Sequence, residues 1–249
     1  METPQLLECL AADSTRLRQL ATRDRSAPVP SCPQWTIDDL VRHVGEVYLH
    51  KTECMRQQRF PQPWPPDLSG EDSLDLFDRS YAALTKEFAE RHPGALAATW
   101  YEPEQTVGFW IRRMAQETVM HRVDVELAVD GSPSEIPEEL AVDGIDEVLE
   151  RFLAYGSHRW TEDFAPSLPA RDQPPVLVAT DGYGWLVRAT PDGAAIDIAT
   201  PRADAKASVC GDPVPLLLWL WRRGDGDVET DGDQGLIDGL RALLRDATQ

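Results

Sequence analysis

Apolar residues recur through the first half of the chain with a helical period. Leu6, Leu7, Leu10, Leu17 and Leu20 share one face, which predicts a helix over residues 4–23, ended by a proline-bearing loop over 27–33. A second helix opens on Thr36 and Asp39, a capping-box pair whose side chains satisfy backbone groups that the helix leaves orphaned. Trp35 and Leu40 flank that cap at the spacing of a hydrophobic staple, and Ile37, Leu40, Val41, Val44, Val47 and Tyr48 carry the apolar face onward. Prolines 61, 63, 65 and 66 require a loop over 60–66. A third helix is predicted over 73–91, with Leu74, Phe77, Tyr81, Leu84 and Phe88 inward, and His92-Pro93-Gly94 stops it. A fourth runs over 106–129 into Asp130-Gly131-Ser132-Pro133. Four amphipathic helices of this length make a bundle.

The second half reads differently. After a helix over 137–155 come short β-rich runs at 176–179, 185–189, 195–198 and 207–210. Turn signals at Asp181-Gly182 and Pro191-Asp192-Gly193 make these antiparallel hairpins, and 214–222 and 234–244 read as helices. The expected fold class is therefore α+β. A four-helix domain over 1–133 precedes a smaller α+β domain with an antiparallel sheet over 134–249.

Composition narrows the partners. With 42% hydrophobic residues and eight Trp, most of the 249 residues can build packed cores. A net charge of −19 repels nucleic-acid backbones and anionic lipid, so the expected partners are small molecules, with no nucleic acid and no membrane. Cys9, Cys32, Cys54 and Cys210 are scattered, and no leader-like segment or apolar run of membrane-spanning length (~18 residues or more) is evident, which points to a soluble cytoplasmic protein with free thiols. Arg outnumbers Lys by 21 to 3, a bias expected of a GC-rich bacterial genome.

The inward stripe of the fourth helix, Trp110, Met114, Glu117, His121, Asp124 and Ala128, turns charged in its middle. Glu117 and His121 lie one turn apart on the same face, and burying them unpaired would cost on the order of 1–3 kcal/mol each. A bound metal offsets that cost, because both are good ligands. His43, which shares a face with Leu40 and Val47, is the best third ligand. Two imidazoles and a carboxylate leave open coordination positions, and they favour Zn²⁺, with Ni²⁺, Fe²⁺ and Mn²⁺ as alternatives. The competing reading is an exposed helical ion pair and an unrelated surface histidine. Asp124 is placed either to accept the His121 imidazole N–H or to pair with Arg122 or Arg42. Asp227, Glu229, Asp231, Asp233 and Asp238 loosely imitate a calcium loop, but a strand followed by a helix capped by Asp233 fits better. Trp219 and Trp221 read as core.

Three segments carry a family resemblance. Pro30-Ser31-Cys32-Pro33-Gln34-Trp35, with Asp39-Leu40 and His43-Val44-Gly45, resembles the opening motif of the mycothiol-dependent maleylpyruvate isomerase family. The segment from Trp110 through Glu117 and His121 to Asp124 resembles its second motif, and Gly211-Asp212-Pro213 through Trp219 to Arg223, with Gly232-Asp233, resembles its C-terminal motif. Arg222 departs from the pattern, which often has a small residue there. The resemblance implies a DinB-like four-helix domain and a divalent metal, usually zinc, held by His43, Glu117 and His121. It also implies mycothiol as thiol cosubstrate, in place of Cys32 or Cys54. Arg223 is the implied catalytic guanidinium, with Arg113 a weaker candidate. The expected function is a metal-dependent enzyme that activates the thiol for cis–trans isomerisation of a maleylpyruvate-like substrate or for S-transfer to an electrophile. The alternatives are a non-catalytic metal- or small-ligand-binding protein on the same fold, including a C-terminal carrier domain for an apolar ligand.

Overall fold

The first leucine stripe folds as helix α1 (Thr3–Ala21) in a computed structural model of the chain, which describes residues 1–224 and 227–248. Leu6, Leu10, Leu17 and Leu20 are buried, each contributing about 1.5–3 kcal/mol of transfer free energy. Thr36 caps α2 (Ile37–Gln57) as its pattern predicts: the hydroxyl accepts from Asp39 N at 3.3 Å, and Asp39 Oδ2 accepts from Thr36 N at 2.9 Å. Helices α3 (Ser73–Glu90) and α4 (Val107–Val129) complete the set. α1 packs chiefly on α4, and α2 chiefly on α3. The second contact needs Gly45, where a Cβ would stand 3.0 Å from Phe77 N and 3.1 Å from Leu76 Cγ. One expectation fails here. The segment read as a loop over 27–33 instead enters a two-stranded antiparallel ribbon, β1 (Pro28–Val29) and β2 (Cys32–Thr36). Strands this short, three of whose residues are Pro or Gln, carry no alternation to detect.

The chain divides into two compact units, Met1–Glu135 and Ile136–Gln249. In the second, α5 (Glu138–Glu147) continues as a π-helix (Val148–Tyr155), so the predicted long helix is present but wound wider over its second half. Two short helices follow, α6 (Gly156–Arg159) and α7 (Thr161–Phe164). The sheet comprises β3 (Val176–Ala179), β4 (Gly184–Thr190), β5 (Gly193–Ala199), β6 (Ala207–Gly211) and β7 (Val228–Gly232), in the order β5-β4-β3-β6-β7.

The two turn signals do make an antiparallel meander of β3, β4 and β5. β6, however, pairs parallel with β3, so the sheet is mixed and not wholly antiparallel. Residues 200–206 must carry the chain past β4 and β3 and re-enter at the end where β3 begins. Their composition is that of an ordinary turn, which is why a further hairpin was expected. β3 is the central strand, and all four of its residues are buried. α8 (Pro213–Leu220) packs against α5, and α9 (Gln234–Ala247) against β6, β3 and the π-helix. Trp219 and Trp221 are core residues. The acidic run serves the edge strand β7 and a cap: Asp233 accepts from Gly235 N at 2.9 Å, and Asp238 from Gln234 Nε2 at 2.9 Å. Among the described residues no helix is long and apolar enough to cross a membrane.

Candidate metal centre

Helical periodicity places Glu117 and His121 on one face of α4, and the Thr36 cap sets the start of α2 two turns before His43. The two helices bring the three side chains together, with one ligand atom of each lying within 4.8 Å of the others. Glu117 Oε1 is 3.3 Å from His121 Nε2 and 3.5 Å from His43 Nε2. Ligands bound tetrahedrally at about 2.0–2.2 Å stand roughly 3.3–3.6 Å apart. The donor types, and both separations from Glu117, thus fit a zinc-like cation.

Each candidate ligand is held by a neighbour. Arg113 Nη2 donates to Glu117 Oε2 at 2.9 Å, which leaves Oε1 for the histidines. His121 Nδ1 is 3.0 Å from Asp124 Oδ2. A carboxylate only accepts, so Nδ1 carries a hydrogen and Nε2 is the nitrogen turned toward Glu117. Ser31 Oγ donates in turn to Asp124 Oδ1. The Trp35 ring lies 4.9 Å from that of His43, centroid to centroid, and the His43 and His121 rings meet edge-on at 5.2 Å. Ser31 and Trp35 belong to the missed β1–β2 ribbon, and nothing in their spacing announces these contacts.

Electrostatics suit a cation. Burial pushes the Glu117 carboxyl up, but hydrogen bonds and charge from His121, His43 and Arg113 outweigh it and hold its pKa well below the usual range. Burial likewise pulls His121 down, yet Asp124 and Glu117 outweigh it and raise the imidazole to about 9. Without a metal the acidic pocket therefore holds a proton on His121, and a cation entering must displace it.

The rival partners proposed for Asp124 are occupied elsewhere. Arg122 stands 2.8 Å from Asp13 and 2.7 Å from Glu126, while Arg42 donates to the carbonyls of Leu68 and Glu71 at 3.2 and 2.6 Å. Arg113, a weaker candidate for substrate, is engaged by Glu117. Arg223 lies in the second unit, in the turn after α8; its Nη1 donates to Trp221 O at 2.8 Å and its guanidinium is 5.8 Å from the Trp221 ring. Also in that unit, a cavity of about 360 Å³ opens between the sheet and α9, lined by Val176, Val187, Ala189, Leu236, Leu240 and Leu243 among others.

Comparison with known proteins agrees with this architecture. Residues 7–126 match the mycothiol maleylpyruvate isomerase N-terminal domain, and residues 139–239 match the C-terminal domain of the same family. Among solved structures, a mycothiol-dependent maleylpyruvate isomerase superposes with a TM-score of 0.60 at 15% identity, over 93% of each chain. A histidine-to-alanine mutant of a mycothiol-dependent maleylpyruvate isomerase superposes with a TM-score of 0.62 at 14% identity, again over 93% of each. A search of curated protein sequences returned no match. With the two domain matches in chain order over most of its length, this chain belongs to the mycothiol-dependent maleylpyruvate isomerase family.

Proposed function

We propose that the chain is a metal- and thiol-dependent enzyme, with His43, Glu117 and His121 holding a divalent cation, zinc by the preference of imidazole and carboxylate donors. The observation that carries this reading is that Glu117 Oε1 stands at the separation of tetrahedral edges from both imidazole nitrogens, and that one ligand atom of each of the three residues, drawn from two helices, lies within 4.8 Å of the others. Three protein ligands leave a position open, as in catalytic sites. A cation there supplies a positive charge that favours the thiolate of an added low-molecular-weight thiol, which is otherwise only a few per cent ionised near neutral pH.

The chain's own residues prepare that site. Asp124 and Ser31 fix the tautomer and orientation of His121, and Arg113 steers the Glu117 carboxylate. With mycothiol as cosubstrate, addition to a conjugated cis double bond, rotation about the resulting single bond and expulsion of the thiol give the trans product and return the thiol. S-transfer to an electrophile would consume it. Arg223 is proposed, on the resemblance, as a guanidinium for an anionic group of the substrate.

Elemental analysis of protein purified without added metal tests the first claim, with near-stoichiometric zinc expected and lost in His121→Ala. A metal-free wild type overturns it. Incubation with mycothiol and a cis-configured electrophile, following free thiol and product together, separates isomerisation from transfer. No turnover of either kind favours a second reading, a non-catalytic binding protein, for which the apolar cavity under α9 is the specific observation.

A further inference from the structure

Helix α9 carries two glycines one turn apart, Gly235 and Gly239, and both border the cavity of the second unit. Gly239 is the informative one. A Cβ there would meet no atom within 4 Å, so an alanine would fit without a clash and would favour the helix. A residue that weakens its helix and relieves no crowding keeps a space open. That space is walled on three sides. Val176 and Val187 close it from the sheet, Leu240 and Leu243 close it from α9, and all four are buried. The third wall is the chain between α7 and β3, pinned where Ser167 N donates to Phe164 O and Gln173 N to Ala189 O, each at 2.9 Å. The volume, about 360 Å³, falls in the range of small-molecule sites, as does a largely apolar lining with a few polar groups.

The polar lining states what the ligand carries. Ser167 and Gln173 border the cavity, and Gln173 Nε2 donates to Arg171 O at 3.1 Å. Among the described residues neither the Ser167 hydroxyl nor Gln173 Oε1 has a hydrogen-bond partner, so a donor and acceptors remain for a guest. Asp233 is the one charged residue of the described lining, and no lysine or arginine joins it. A carboxylate entering here would meet a like charge and no counter-charge, whereas a hydroxyl group would be served. We propose that this cavity is a second ligand site, for a small neutral molecule with an apolar body and one hydrogen-bonding group, of the class of a medium-chain alcohol. It uses no residue of the candidate metal centre, and it stands whether the first unit is catalytic or not.

The probe is 1-octanol, titrated calorimetrically into full-length protein, with octanoate as the charged control. Wild type is expected to bind octanol saturably, with a negative heat-capacity change, and to prefer it to octanoate about 10-fold or more. Gly239→Leu, which fills the space, should weaken octanol about 10-fold or more and leave the unfolding temperature unchanged or raised. Should that variant fail to fold, Gly239→Met, whose flexible chain adapts to gaps, carries the same comparison. Ser167→Ala should weaken octanol about 3–10-fold. Asp233→Asn, which still caps α9, should narrow the preference for the alcohol roughly threefold. No saturable octanol binding by wild type overturns the proposal, as does unchanged octanol affinity in a folded Gly239 variant or octanoate bound as tightly as octanol. Failure of the thiol-enzyme reading would appear separately, as absent zinc and absent turnover with octanol binding intact.

Discussion

His121 Nδ1 lies 3.0 Å from Asp124 Oδ2, one turn along the same helix, and this bond decides which imidazole nitrogen faces Glu117 and His43. Replacing Asp124 with Asn keeps the shape but allows the amide to present its NH₂ to Nδ1, which favours the wrong tautomer. Zinc affinity in Asp124→Asn is expected to fall about 10–100-fold, measured by competition with a chromophoric chelator. Ser31→Ala should fall less, because it removes only the hydrogen bond behind Asp124.

Asp13 offers a pH test remote from the ligands. Burial raises its carboxyl from 3.8 to about 6, with Arg122 opposing and Glu126 adding to the rise. The folded chain therefore keeps a proton that the unfolded chain has released, and this group's contribution to stability falls as pH rises through that window. The difference between wild type and Asp13→Asn in urea-unfolding free energy should change by on the order of 2–3 kcal/mol between pH 4 and 6, and be flat above. Equal slopes for the two proteins would contradict the assignment.

Gly45→Ala tests the close approach of α2 and α3. Its new methyl meets the backbone of Phe77, which cannot swing away as a side chain can. A loss of about 1–3 kcal/mol is expected from thermal or denaturant unfolding. His43 is two residues away, so zinc affinity should weaken in the same variant.

Much of the first unit is legible in the sequence because helices announce themselves twice, through apolar period and through caps. Thr36 with Asp39, and the charged break in the stripe at Glu117 and His121, gave both the elements and the convergence of His43 with that pair. The β1–β2 ribbon had neither signal, so Ser31 and Trp35 were invisible as supports. Parallel pairing of β6 with β3 depends on where residues 200–206 deliver the chain, which a local turn composition does not encode.

The small β1–β2 ribbon bears on both helices that carry the candidate ligands at once. Ser31, in its turn, grips Asp124 of α4, and Trp35, on its second strand, rests on His43 of α2. The four-residue step between them works as a caliper whose jaws are set by chain length. Adding or deleting one residue there would reverse which side of the strand carries the indole, loosening one histidine while the other stays braced, so the length of this insignificant-looking loop should be as intolerant of change as the ligands themselves.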